Sequence, residues 1–351
     1  MVRGRKQKRL TAIDLFAGAG GTTHGLALAG FRVGAAVEFD PVIVKSYEAN
    51  HASVAMFPED IRNVDPHEVA QRAGIRPGKL DLLNACPPCQ GFSSLGTGDA
   101  DDDRNDLVGE VWRFARALGP RAIIVENVPG LVHDHRLVKL VRQLRSADYA
   151  VKTYLVNAAD FGVPQKRRRL IMLAVRGFSA TDLPEDLAAA LSRGFRRKPH
   201  DAAAILAALE RPEESSDPMH RVREQHPDVR ARIRHIPVGG NRFDLPEEHQ
   251  LACHKRLDGR NATSAYGRIA LKGPAPTMTT RCTTPACGAF VHPRQNRGIT
   301  LREAALIQTF PRGYRFFGFH GQIERQIGNA VPVRLARGIG SIVRRLLERA
   351  R

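Results

Sequence analysis

Over the first 177 residues, short apolar runs alternate with segments whose apolar positions recur at helical spacing. Residues 11–16, TAIDLF, read as a strand that ends in a glycine-rich turn from Gly18 to Gly21. THGLALAGF then reads as a helix, and RVGAAVEFD as a second strand closing on Glu38. Three further strands are predicted: KLDLLNA (79–85), RAIIVENV (121–128) and RRLIMLAV (168–175). Alternating strands and helices predict an α/β fold with a mostly parallel sheet covered on both faces.

The pattern changes after Gly177. Residues 178–275 are rich in Arg, Pro, His and Glu, with short helical stretches predicted at DLAAALSRGF (186–195) and DAAAILAALE (201–210). This reads as a second, smaller domain inserted into the first. Helical pattern returns at GITLREAALIQTFP (298–311) and in a final amphipathic helix at 331–350. Ligands of an open parallel sheet bind at the carboxyl ends of its strands. Phe16, Glu38, Asp60, Cys89 and Glu126 all fall at or just past such ends, so the topology gathers them on one rim.

Composition adds a partner. The chain of 351 residues carries a formal net charge of +18, which points to a polyanion such as nucleic acid. The basic N-terminus, MVRGRKQKRL, is followed by too short an apolar run for a signal peptide, and no apolar stretch would span a bilayer. A cytoplasmic, nucleoid-associated protein with reduced thiols is expected, and a monomer by default.

The glycine turn reads G-x-G-G, with Thr23 where a dinucleotide-binding turn carries its third glycine. With Glu38 twenty positions after Gly18, it suits a nucleoside cofactor without a pyrophosphate, such as S-adenosylmethionine. The stretch NACPPCQGFSS holds Cys86 and Cys89 in C-x-x-C spacing. Three readings stand: a redox pair; half of a zinc site completed from Cys253, His254, Cys282, Cys287 and His292; or a lone nucleophile at Cys89 with Cys86 as a small buried neighbour.

The succession DLFAGAGG, VEFD, EDI, PPCQGFSS, ENVPG, PQKRRRL, TLREAALIQTFP and GNAVP resembles the cytosine-5 DNA methyltransferases. Only about 178–275 lacks the resemblance. It implies a Rossmann-like, S-adenosylmethionine-dependent methyltransferase sheet at 1–177 plus about 320–351. A small domain would span about 178–319, with target recognition at about 178–275. It implies methyl transfer to C5 of a flipped-out cytosine in a short double-stranded DNA sequence, without a metal. A tRNA cytosine-5 methyltransferase and a non-catalytic DNA-binding homologue are the alternatives.

By this resemblance Cys89 is the nucleophile, Glu126 the acid at N3 of the base, and Arg167 and Arg169 point into the active site. Gln165, Arg167 and Arg169 would share one face of a strand start. The cofactor set is Phe16, Gly18, Gly20, Gly21, Glu38, Phe39, Asp60, Ile61, Pro88, Asn329 and Val331. Gln90, Ser93, Gln165, Asn241, Arg242, Lys255, Arg256 and Arg281 are expected at DNA. Residues 93–106 resemble a mobile catalytic loop, and the acidic Asp99–Asp103 within it is expected to face solvent or nearby arginines.

Overall fold

In the computed structural model the structure describes residues 9–76, 78–88, 106–195, 198–256 and 262–349. Among these, β1 (Leu10–Leu15), β2 (Phe31–Val37), β3 (Ala55–Phe57), β4 (Leu82–Ala85), β5 (Ala122–Asn127), β6 (Tyr149–Asn157) and β7 (Arg168–Arg176) form a seven-stranded sheet in the order β3-β2-β1-β4-β5-β7-β6. The pairings from β3 through β5 are parallel, whereas β7 runs antiparallel to β5. Every residue of β1, β4 and β5 is buried, as strands covered on both faces require.

Two strands escape the sequence pattern. β3 is three residues long, too short to show a period. β6 mixes buried and exposed positions and carries Lys152 and Asn157.

The helices α1 (Gly21–Leu28), α2 (Pro41–Glu48), α3 (Pro66–Arg72), α4 (Val108–Leu118) and α5 (His135–Ser146) intervene between the strands. Asp40, Asp65 and Asp134 cap α2, α3 and α5, each accepting a backbone N–H of the first turn. α1 has no side-chain cap and starts from Gly20 at φ 90°, which glycine adopts without steric penalty. Its first-turn N–H groups therefore have no side-chain cap.

The chain divides into two compact units. The first holds residues 1–156, 168–195 and 335–351. The second holds 157–167 and 196–334. The first unit runs to Phe195, beyond the expected boundary at 177, because the last helix holds that stretch. In α11 (Val333–Arg349), Arg345 donates to the Ala190 carbonyl and Arg337 lies 5.8 Å from the Phe195 ring centroid. Residues 186–195, expected to be helical, form turns instead. Buried Leu187 and Leu191 fix the path of this stretch.

The second unit carries α6 (Ala202–Ala207), α7 (Pro227–His235), α8 (Ala252–Lys255), α9 (Leu301–Ile307) and α10 (His320–Asn329). α9 opens with a reciprocal capping box between Thr300 and Glu303. Buried Glu303 also takes both Arg297 guanidinium nitrogens, at 2.8 and 2.7 Å. α10 belongs to this unit, not to the cofactor domain as expected, because Glu324 accepts from the backbone of Thr283 at 2.9 Å. Gly328 of the GNAVP motif lies against the 279–280 backbone. A Cβ there would sit 2.2 Å from the Thr279 carbonyl oxygen. No helix among the described residues is long and apolar enough to cross a membrane.

Gly328→Ala tests that contact. Helix propensity favours Ala by about 1 kcal/mol, but a clash with backbone cannot be relieved by a rotamer change. A net loss of about 1–3 kcal/mol in chemical denaturation is expected; a neutral or stabilising result would show that the Thr279 segment yields.

Candidate active site

The first unit's rim is built from the carboxyl ends of β1, β2, β4 and β5. After β1, Phe16 turns the chain with φ 56° and Gly18 follows at the same angle. Open space surrounds the position a Gly18 Cβ would take. Glu38, at the end of β2, ties the turn to its own strand. Its Oε2 accepts from Gly18 N at 2.9 Å, and its Oε1 from Phe39 N and Asp40 N at 3.0 and 3.1 Å. Burial pushes this carboxyl up while the amides pull it down. Phe39 beside it is 71% exposed.

Of the other expected cofactor residues, Gly20 and Gly21 form the junction of turn and α1, and Pro88 is half-buried after β4. Asp60 spends its carboxylate on Arg62, which holds it below the usual carboxylate range, and on capping residues 61–63. Ile61 buries its side chain in the main core, so it offers a ligand only backbone. In the second unit, Asn329 is exposed at the end of α10 and Val331 is buried.

Beneath the rim lies a polar network that the sequence reading missed. Asp14 is fully buried within β1. Its two carboxylate oxygens accept from Thr23 Oγ1 of α1 at 2.6 Å and from Asn84 Nδ2 of β4 at 2.8 Å. Thr23 also bonds the Tyr47 hydroxyl at 2.8 Å. Burial pushes the Asp14 carboxyl up to about 6, against the pull of these donors. Charged and amide residues inside the apolar runs TAIDLF and KLDLLNA were the available signal.

Cys86 completes this network, with Thr22 Oγ1 and Asn84 Nδ2 at 3.8 and 3.7 Å from its sulfur. The residue keeps some exposed surface, yet its thiol is enclosed. Burial, reinforced by the nearby Glu126 and Asp14 carboxylates, pushes the thiol well up, away from the nucleophilic thiolate. Cys86 is in no disulfide. No three metal-binding side chains converge among the described residues. Cys89, Gln90, Ser93 and the acidic Asp99–Asp103 lie outside the described residues.

Glu126 closes β5, and the antiparallel register sets Ile171 of β7 opposite it. Arg169, two residues earlier, thereby reaches it: Nε lies 3.0 Å from Glu126 Oε1, both side chains being largely buried. The N–H is not aimed along that line, so the contact is an ion pair, and Oε1 has no hydrogen-bond donor among the described residues. The neighbouring Asn127 donates to the Pro87 carbonyl at 2.9 Å and accepts from Val128 N at 2.7 Å. The segment preceding Cys89 is thus fastened to the strand that carries Glu126.

Several expected site residues do other work. Gln165 and Arg167 precede β7 and are buried while Lys166 and Arg168 are exposed, the alternation expected of residues on one face with Arg169. Arg167 donates to the carbonyls of Met278 and Gly328 at 2.8 and 2.9 Å. It thereby ties three segments of that unit together. Gln165, expected at DNA, is fully buried and engages Gln308 and Met278 N, both at 2.8 Å. Arg242, also expected at DNA, is buried and donates to the Ala262 and His254 carbonyls. Asn241 caps the turn that follows it. Lys255, Arg256 and Arg281 are exposed; Lys255 pairs with Glu247 at 3.4 Å, and Arg281 lies 3.8 Å from the Cys287 sulfur.

The chain is similar to known proteins. Residues 10–345 match the family of C-5 cytosine-specific DNA methylases. The type II methylase M.HgiDII of Herpetosiphon aurantiacus is 36% identical over 350 residues, spanning 96% of this chain and 95% of that protein. The type II methyltransferase M.XorII of Xanthomonas oryzae pv. oryzae is 32% identical over 371 residues, spanning 97% and 86%. A prophage-encoded E. coli protein of known structure superposes with a TM-score of 0.68 at 26% identity, covering 97% of this chain and 99% of that one.

Asp14 gives a pH signature. An acid raised from 3.8 to about 6 stabilises the fold in its protonated form. That contribution is complete below 3.8 and lost as pH rises through about 6. At about 1.4 kcal/mol per pH unit it amounts to about 3 kcal/mol. Denaturant unfolding of wild type and Asp14→Asn should therefore show the wild type gaining on the variant by about that much between pH 8 and pH 4. A difference independent of pH would mean that Asp14 is not held as described.

Proposed function

The chain belongs to the C-5 cytosine-specific DNA methylases, and from that we propose how its own residues carry out the reaction. It is a DNA cytosine-5 methyltransferase of the type II restriction–modification kind. The observation that most supports the residue assignment is the pair of Glu126 and Arg169 at the end of β5. It sits beside the Asn127 bond that fastens the Pro87 segment to the same strand.

In this reading the substrate is double-stranded DNA with the target cytosine turned out of the stack, where a side chain can reach C6. The enzyme works as a monomer on the nucleoid in the cytoplasm. The Cys89 thiolate adds to C6, its electron pair forming the S–C6 bond while the π electrons move into the ring. Glu126, in its protonated form, takes up that charge by donating its proton to N3. Arg169 then holds the carboxylate that this leaves through the ion pair. C5, now electron-rich, accepts a methyl group. Loss of the C5 proton and β-elimination break the S–C6 bond and restore the thiolate. Cys86 takes no part, because its enclosed thiol resists ionisation.

The residues fit S-adenosylmethionine as the donor. Open space at Gly18, the buried acceptor oxygens of Glu38 and the exposed ring of Phe39 suit a nucleoside. Glu38 would take the ribose hydroxyls, and Phe16 and Phe39 the adenine. When bound, S-adenosylmethionine supplies an electrophilic methyl group on a sulfonium.

Plasmid DNA incubated with labelled S-adenosylmethionine and mapped by bisulfite sequencing should show 5-methylcytosine in one short sequence. Label appearing in tRNA and not in duplex DNA would replace the substrate. Separately, 5-fluorocytosine at the target should trap the wild type covalently, since fluorine cannot leave as a proton. Cys89→Ala should abolish trapping; a trapped Cys89→Ala protein would refute the nucleophile. Glu126→Gln should lower turnover by about a hundredfold or more, read in single-turnover kinetics.

A further inference from the structure

Asn241 and Arg242 are committed to the protein itself, and what they hold is Phe243. Arg242 places its guanidinium carbon 4.2 Å from the Phe243 ring centroid while donating to the Ala262 and His254 carbonyls. Asn241 Oδ1 accepts from Phe243 N at 3.0 Å, and Asp244 Oδ2 accepts from Asn241 N at 2.8 Å, closing a capping box around the residue. The turn is further sewn down: Gly239 N donates to Arg268 O, Arg268 N to Gly240 O, and Arg242 N to Ala265 O. A Cβ on Gly240 would lie 2.6 Å from Asp244 Oδ2 and 2.7 Å from Pro237, so the tight turn admits only glycine there. Ile236 and Leu245, flanking the turn, are buried in one apolar cluster with Tyr266.

The ring that all this bracing presents is 52% exposed. Burying a Phe is favourable because it removes a large apolar surface from water, and the fold forgoes a large part of that here. A single exposed Phe on a loose loop would need no explanation. One clamped by a buried arginine on one face, with the backbone on either side of it fixed, is a preorganised stacking surface with one face free. An arginine beneath an aromatic ring also favours the flat orientation that a base would meet.

We propose that Phe243 is a base-stacking contact to DNA, its free face receiving a nucleobase unstacked when the duplex opens; this rests on the duplex-DNA reading above. Opening a duplex unstacks bases, and an apolar side chain of the protein can occupy the vacated surface. The role differs from base-edge readout. It supplies binding energy only where the helix is opened, and it tolerates any base because every base has a π face.

Trp112 is the chain's single tryptophan, so Phe243→Trp in a Trp112→Phe background leaves one reporter, at the proposed contact. Its emission should be quenched by a synthetic duplex carrying the bisulfite-mapped site, and not by a duplex lacking it. Phe243→Ala should bind the site duplex between about fivefold and a hundredfold more weakly, with unchanged affinity for the other duplex. Phe319→Ala, removing an aromatic that is 68% exposed but lies outside this turn, should change neither affinity. Absence of quenching, equal losses on both duplexes, or the same loss in Phe319→Ala would overturn the proposal. A wild type that methylates no duplex at all would overturn the DNA reading, and the stacking contact with it.

Discussion

The carboxyl group of Asp14, buried where β1 meets β4, fixes the two turns on which the proposed chemistry relies. One oxygen takes the hydroxyl of Thr23 and so sets the first turn of α1, directly after the glycine turn. The other takes the amide of Asn84 and so sets the end of β4, from which the Pro87–Pro88 segment departs. An ionisable group in such a place is disfavoured by burial, and its bonds offset that only in part. The network is therefore strict: each partner has one geometry in which all donors and acceptors are used. The same enclosure keeps Cys86 protonated, which separates two thiols three residues apart into an inert one and a candidate nucleophile.

Strand direction is the second constraint. Were β7 parallel to β5, Arg169 at its start would lie at the opposite edge of the sheet from Glu126. The antiparallel register brings the start of β7 to the end of β5 and makes the ion pair. Asn127 adds the link to Pro87, so acid, arginine and the segment before Cys89 share one strand end. Preorganisation of this kind lets a charge develop on a bound ring without rearranging the protein.

The arginines of the second unit show why a large positive charge identifies a partner but not the residues that touch it. Arg167, Arg242, Arg268, Arg297 and Arg302 are all buried, and their guanidinium groups are used on carbonyls or on Glu303 and Asp217. In a unit built mainly of short helices, 3₁₀ turns and loops, many carbonyls have no ladder partner. The five donors of a guanidinium satisfy several at once. Arg268 alone bonds the carbonyls of Ile236, Ile233, His292 and Gln295.

The sequence by itself determined the α/β class, the family, the glycine turn with Glu38, and the place of Glu126 near a strand end. Each depends on spacing along the chain: apolar runs fix strands, and strand ends fix where ligands lie. The sequence also carried the order of motifs, which is what the family match rests on. Only the tertiary structure decided that β7 is antiparallel and lies between β5 and β6. It also decided that Asp14 is a buried node, that Arg167 and Gln165 are buried and hydrogen-bonded within the second unit, and that Phe243 is displayed while Arg242 is hidden. Those outcomes depend on which segments meet across long sequence separations. A side chain's environment is set by such meetings, and the local pattern of polar and apolar residues holds no record of them.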